Sequence, residues 1–310
     1  MPEIVISEFM DAAAVGRLRS ACDTLYDPGL VDRPGDLAAA MPEARVLVVR
    51  NRTQVRGALL DAAPRLELVG RLGVGLDNID LSACAGRGIA VRPATGANDL
   101  SVAEYVITAA MVLLRGAYGA SDAVAAGDWP RQALVGRELS GKVLGLVGYG
   151  AIARETARRA VALGMRCIAH DPHIAPGDPA WGGTGRRDLD GLLTEADVVS
   201  LHVPLTDGTR RMIDAAALGR MKDGAVLINA ARGGVVDEDA LAAALAAGQI
   251  GGAALDVFET EPLSAEAGAK FRGLSNLILT PHIAGVTAES NTRVSDMIAG
   301  IVLEHLEKGA

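Results

Sequence analysis

Cysteine is scarce in this chain: Cys22, Cys84 and Cys167 are the only three in 310 residues, and they lie far apart. They form neither an even disulfide framework nor a CxxC metal pair, so buried reduced thiols are expected. Positive charge is also in deficit. Thirty Lys and Arg stand against 38 Asp and Glu, a formal charge of -8, and the basic residues are scattered. A nucleic-acid partner would need a basic stripe, so none is expected. No apolar run reaches membrane-spanning length, and the opening "EIVISEF" has neither a basic n-region nor a small-residue cleavage site. The expectation is a cytoplasmic protein with no membrane partner. There is no HExxH and no histidine placed to complete the acidic pairs "DED" and "ETE", so no metal is expected.

Half of the residues are hydrophobic, which suffices for a sizeable core, and the length predicts about two domains. Short β-branched runs alternate with Ala/Leu-rich helical stretches, the pattern of parallel strands covered by helices on both faces. In the first third the strands read as "EIVIS", "ARVLVVR", "LELVGR" and "IAVRPA", with helices at "AAAVGRLRS" and "TQVRGALLDAA". A long apolar helical stretch follows, residues 98–127, with Ser101 and Glu104 in capping-box spacing, and reads as a bridge between domains. After it come strands at "GKVLGLVGYG", "MRCIAHD", "ADVVSLHVP", "GAVLINAA", "AALDVF" and "LILTPH", enough repeated βα units for one doubly wound sheet.

Gly148-Tyr149-Gly150-Ala151-Ile152-Ala153 follows an apolar strand and opens a helix. That context gives the GxGxx(G/A) pattern its meaning. Gly148 permits a tight turn. Gly150, with Ala151 and Ile152 behind it, lets backbone approach a pyrophosphate at the helix N-terminus, where free N–H groups and the helix dipole favour an anion. Ala153 stands where the pattern's third glycine would be. Asp171 closes the next strand, twenty-one residues after Gly150. Its carboxylate suits the adenosine ribose hydroxyls and would repel the 2′-phosphate of NADP, so NAD is the expected cofactor.

Further motifs make the chain recognisable: "LINAARGGVVDEDAL", "AALDVFETEPL", "LTPHIAG", and upstream "GRLGVGLDNID" and "ATGANDLSVAEYV". Together and in this order they resemble the D-isomer-specific 2-hydroxyacid dehydrogenases, within that family the phosphoglycerate dehydrogenase-like branch. The resemblance implies an α/β protein of two doubly wound parallel-sheet domains. A Rossmann NAD domain, residues 98–283, is inserted into a flavodoxin-like substrate domain made of residues 1–97 and 284–310. It places the active site in the cleft between them, and it implies a homodimer acting on a small anionic substrate.

The resemblance also assigns roles. Arg232 matches the substrate-binding arginine, whose planar fork can hold a carboxylate and a ketone oxygen. His282 matches the general acid/base, and Glu261 its partner, a carboxylate that favours the charged ring and fixes its orientation. Asp256, His282 and Gly285 match nicotinamide-facing positions. Val203, Pro204, Ala230, Ala231 and Arg232 match contacts along the dinucleotide. Val74 and Gly75 match a loop whose amides meet the substrate carboxylate, with Val74 also beside the cofactor. Arg50, Asn51 and Arg52 sit at a strand end, and with Asn98 they match positions that hold a distal anion. A second negative group on the substrate, as in 3-phosphoglycerate or 3-sulfolactate, is therefore expected. The other readings are a glyoxylate/hydroxypyruvate reductase and, from a different class, a noncatalytic NAD-sensing protein. The complete Arg232, Glu261 and His282 set opposes the latter. A formate dehydrogenase-like enzyme would need glutamine in place of Glu261.

Overall fold

The computed structural model describes residues 2–308. The chain forms two compact units: one runs to Asn98 and resumes at Val286, and the other spans Asp99–Gly285. These junctions lie one and two residues beyond the expected ones.

The first unit holds a five-stranded sheet of β1 (Ile4–Ile6), β2 (Thr24–Tyr26), β3 (Val46–Val49), β4 (Leu68–Arg71) and β5 (Ala90–Pro93). The order is β2-β1-β3-β4-β5, and every pairing is parallel. β1 and β3 are apolar at every position and wholly buried, as central parallel strands covered on both faces must be. Alternate side chains feed two cores. Ile4, Ile6, Val46 and Val48 pack with Val15 and Leu18 of the helix Ala12–Ala21 and with Ile298 and Val302 of the C-terminal helix Ala288–Lys308. Val5, Leu47 and Val49 face Leu37, Leu60 and Cys84 on the other side.

The second unit has seven parallel strands: β6 (Val143–Val147), β7 (Arg166–His170), β8 (Gly185–Arg186), β9 (Val198–Leu201), β10 (Val226–Asn229), β11 (Gly252–Leu255) and β12 (Leu277–Leu279). Their order is β12-β11-β10-β9-β6-β7-β8, so the chain reverses direction across the sheet between β6 and β9. Crevices outside the carboxyl ends of such strands are where doubly wound sheets bind ligands. The helix Asp99–Arg115 places Val106 and Ala110 against Ala153 and Ala157 of the helix Ala151–Ala162. Ala153 is 0% exposed there, and its methyl fills the contact the pattern usually gives to glycine.

Several expectations change. The stretch 98–127 is not one helix: it ends at Arg115, just before Gly116, and a short helix Ser121–Ala125 follows. Ser101 is buried inside the first of these, so it does not cap it. The helix expected over 53–63 shrinks to Ala58–Asp61, because the Glu8 carboxylate accepts N–H bonds from Arg50, Arg52 and Thr53 and holds 51–53 in a bend. β2 and β8 were not anticipated. No single described helix is long and apolar enough to cross a membrane.

Candidate active site

The second unit carries the nucleotide loop. Gly148 has φ 86°, and a Cβ there would stand 2.6 Å from the His202 carbonyl oxygen that follows β9. Only glycine permits this left-handed, close approach. Around Gly150 the space is open, and no side chain caps the helix that it begins, so the N–H groups of the first turn face outward without a side-chain acceptor. Asp171 accepts N–H bonds from Tyr149 through Oδ2 and from His173 through Oδ1, both at 2.9 Å. Each oxygen keeps a further acceptor site for a hydroxyl. Val203 faces Gly148 across the strand ends, and Pro204 lies next to it. A glycine where a Cβ would collide, an open uncapped helix start and an anchored acceptor carboxylate together fit a dinucleotide. Sequence reading missed the support beneath the loop. The Tyr149 ring stacks on Trp181 with centroids 5.4 Å apart, and its hydroxyl bonds Thr184 at 2.7 Å.

Arg232 leaves β10 in a loop with Ala230 and Ala231. Buried Asn229 ties this loop down: its Nδ2 donates to the Arg232 carbonyl at 3.0 Å and its Oδ1 accepts from the Ala231 N–H at 3.1 Å. The next residue, Gly233, has no room for a side chain, since a Cβ would lie 1.7 Å from the Phe258 carbonyl oxygen. The loop therefore presses against the segment that carries Glu261. There, Glu261 Oε1 accepts from the Phe258 N–H at 3.0 Å, and Oε2 lies 2.7 Å from His282 Nδ1. A carboxylate only accepts, so Nδ1 holds the proton and Nε2 is left for exchange with a ligand. Partial burial works to raise the Glu261 pKa, but the bonds from His282 and Phe258 and the positive charge of Arg232 hold it below the usual carboxylate value. The expected trio thus stands as a hydrogen-bonded pair with a guanidinium acting on its carboxylate.

Asp256 is 1% exposed. Its Oδ1 accepts from Thr280 Oγ1 at 2.6 Å and the Ile283 N–H at 2.8 Å, and Oδ2 from the Ala284 N–H at 2.8 Å. Its carboxylate therefore shapes the turn that bears His282 and precedes Gly285, while Oδ2 retains acceptor capacity.

Six further candidates lie in the first unit. Val74 and Gly75 follow β4, and their amides donate to no acceptor among the described residues, as an anion-binding loop requires. The three residues 50–52 part company. Arg52 pairs with Asp32 on the surface, and Asn51 is exposed. Arg50 instead is partly desolvated, which lowers its pKa while Glu8 opposes the shift. Its guanidinium has direct contacts to neutral groups, Asn291 Oδ1 at 3.0 Å and the Phe9 ring at 5.7 Å, while Glu8 binds the main-chain N–H of the same residue. The buried Oδ1 of Asn98 has no hydrogen-bond partner, and such an orphaned acceptor calls for a donor. Glu8, Phe9 and Asn291 were not foreseen, because no local pattern signals their contacts.

The family profile "D-isomer specific 2-hydroxyacid dehydrogenase, NAD binding domain" matches residues 107–284. The chain is 55% identical over 296 residues, 95% of each chain, to the (S)-sulfolactate dehydrogenase of Chromohalobacter salexigens. It is 42% identical over 259 residues, 84% of each, to the hydroxypyruvate reductase of Thermotoga maritima. Among solved structures, D-lactate dehydrogenase from Aquifex aeolicus complexed with NAD and lactic acid superposes with a TM-score of 0.83 at 30% identity, covering 98% of this chain and 95% of that one. With a profile over most of its length and relatives aligned nearly end to end, the chain belongs to the D-isomer-specific 2-hydroxyacid dehydrogenases.

Proposed function

We propose that the protein interconverts a small 2-hydroxy acid and its 2-keto acid where the substrate carries a second anionic group, of the 3-sulfolactate or 3-phosphoglycerate kind. The class is that of the family, an NAD-dependent oxidoreductase acting on a CH–OH group. Gly148, Gly150, Ala151, Ile152 and Asp171 would hold the dinucleotide, and NAD when bound supplies the hydride acceptor. Arg232 holds the substrate carboxylate. In oxidation, Nε2 of neutral His282 takes the hydroxyl proton, and Glu261 stabilises the imidazolium that results. In reduction the same Nε2 returns it. A carboxylate already hydrogen-bonded to Nδ1 needs no rearrangement as the charge appears, which is why the 2.7 Å pair carries this reading.

The second anion rests on Arg50, a partly desolvated cation whose guanidinium has direct contacts only to Asn291 and Phe9, with the Glu8 charge acting on it from the main-chain side. A guanidinium that donates to one neutral amide oxygen and to no carboxylate keeps donors for an arriving anion. The 55% identity to a sulfolactate dehydrogenase supports the same substrate class. A glyoxylate/hydroxypyruvate reductase has the 42% relative behind it, but its monoanionic substrates would leave the Arg50 guanidinium without a direct ionic contact. Initial rates followed by NADH absorbance should give the highest kcat/KM with sulfopyruvate or phosphohydroxypyruvate. Equal or better turnover of hydroxypyruvate, glyoxylate or pyruvate would overturn the dianion reading.

A homodimer in the cytoplasm belongs to the same proposal. Tyr118, Trp129 and Val135 are 68%, 74% and 75% exposed within one stretch of the second unit, and large apolar side chains grouped in this way suit a second copy of the chain. The three cysteines are free thiols, as a reducing compartment allows.

A further inference from the structure

His282 is held in the left-handed region, φ 54°, a conformation it shares with only Arg211 among the described non-glycine residues. Side chains with a Cβ disfavour that region, so other contacts must hold the turn. They converge on Asp256. Its main-chain oxygen accepts the His282 N–H at 2.8 Å, and its carboxylate takes the N–H groups of Ile283 and Ala284 and the hydroxyl of Thr280. Thr280 Oγ1 also lies 2.7 Å from the hydroxyl of Tyr105, on the helix Asp99–Arg115.

The direction of these bonds follows from the donor inventory. An ionised carboxylate only accepts, so Thr280 must give its single proton to Asp256, and Tyr105 must therefore donate to Thr280. The resulting chain runs Tyr105 to Thr280 to Asp256, and from Asp256 to the turn. It lies wholly within the second unit and uses no group that would touch a substrate.

We propose that Thr280, with Tyr105 behind it, is a positioning residue for His282: the hydroxyl relay orients the Asp256 carboxylate, which holds the left-handed turn that aims the imidazole at Glu261. This rests on the reading of His282 as the acid/base. Displacing a reacting group by about an ångström can lower turnover by roughly a hundredfold without weakening binding. Thr280→Val in the full enzyme should therefore lower kcat by about ten- to a hundredfold, with KM for the keto acid and Kd for NADH within about twofold. Thr280→Ser, which keeps the hydroxyl, should restore kcat to within about threefold of the parent. Tyr105→Phe should lower kcat less, and should cost nothing further in the Thr280→Val background, because the relay is already broken there. A Thr280→Val enzyme with unchanged kcat, or a Thr280→Ser enzyme as impaired as Thr280→Val, would overturn the proposal. If Thr280→Val does not fold, Tyr105→Phe decides, since unchanged kcat in that variant overturns it as well. His282→Asn assayed alongside separates the two claims: activity in that variant removes the acid/base reading, whereas an inactive His282→Asn beside a fully active Thr280→Val removes only the relay.

Discussion

Arg50→Ala and Arg52→Ala are adjacent, chemically identical perturbations for which the structure predicts opposite results. Arg52 reaches a surface aspartate with both side chains about three-fifths exposed, at 59% and 61%. Pairs of that kind contribute little, so its removal should change kcat/KM by no more than about threefold for any substrate. Arg50 is partly desolvated, and its guanidinium contacts Asn291 and Phe9 rather than a carboxylate. A charge-assisted hydrogen bond to a substrate anion is worth about 1.5–3 kcal/mol, or roughly ten- to a hundredfold in kcat/KM. Arg50→Ala should lose that factor with sulfopyruvate or phosphohydroxypyruvate. Part of any loss will reflect the vacated contacts to Asn291 and Phe9, which affect all substrates alike, so the informative quantity is the ratio between a dianionic keto acid and pyruvate. That ratio should fall at least tenfold in Arg50→Ala, on the order set by one lost ionic contact, and stay constant in Arg52→Ala. Equal losses for both substrates would show that Arg50 supports the loop and binds no anion.

Arg232→Lys keeps its charge but loses the planar fork, so kcat/KM should drop by roughly a hundredfold or more; a near-normal variant removes Arg232 from the site. Asp171→Ala should narrow the preference for NAD over NADP measured as kcat/KM, and a wild type that prefers NADP would reject the role given to this carboxylate. The pKa of Glu261 is depressed in the folded protein from 4.5, so its ionised form adds stability above that pH and the contribution disappears as pH falls through the lower, folded value. In urea titrations Glu261→Gln should accordingly be less stable than the parent near neutrality. The gap should close below about pH 4; a gap that is constant with pH contradicts the ionic part of the pair.

Much of the fold was legible because its signals are local. Ile4–Ile6 and Val46–Val49 are unbroken apolar runs, which parallel strands buried on both faces require, and the glycine loop with Asp171 follows one strand and opens one helix. Thr24–Tyr26 and Gly185–Arg186 escaped because they are short, only partly buried or exposed, and of mixed polarity; only pairing with a neighbouring strand makes them strands. Residues 98–127 keep an apolar composition across the break at Gly116, so periodicity alone did not end the helix. In the site, Arg232, Glu261 and His282 could be named through the family motifs, but nothing local paired residues 261 and 282, and distance did so only in three dimensions. Glu8 and Asn291 were illegible for the same reason, since they reach Arg50 across 42 and 241 residues of sequence. What sequence could not do was separate Arg50 from Arg52. That distinction is one of desolvation, which depends on Phe9 and on the C-terminal helix.

The claim on which the rest depends is that His282 exchanges the substrate proton. It is tested most directly by measuring NADH-dependent reduction of the dianionic keto acid and NADH binding side by side in the wild type and His282→Asn. Turnover should fall by roughly three powers of ten, within the range of a lost general acid, while the Kd for NADH stays within about threefold. Turnover retained within about tenfold, or NADH binding lost in parallel with activity, would contradict the account.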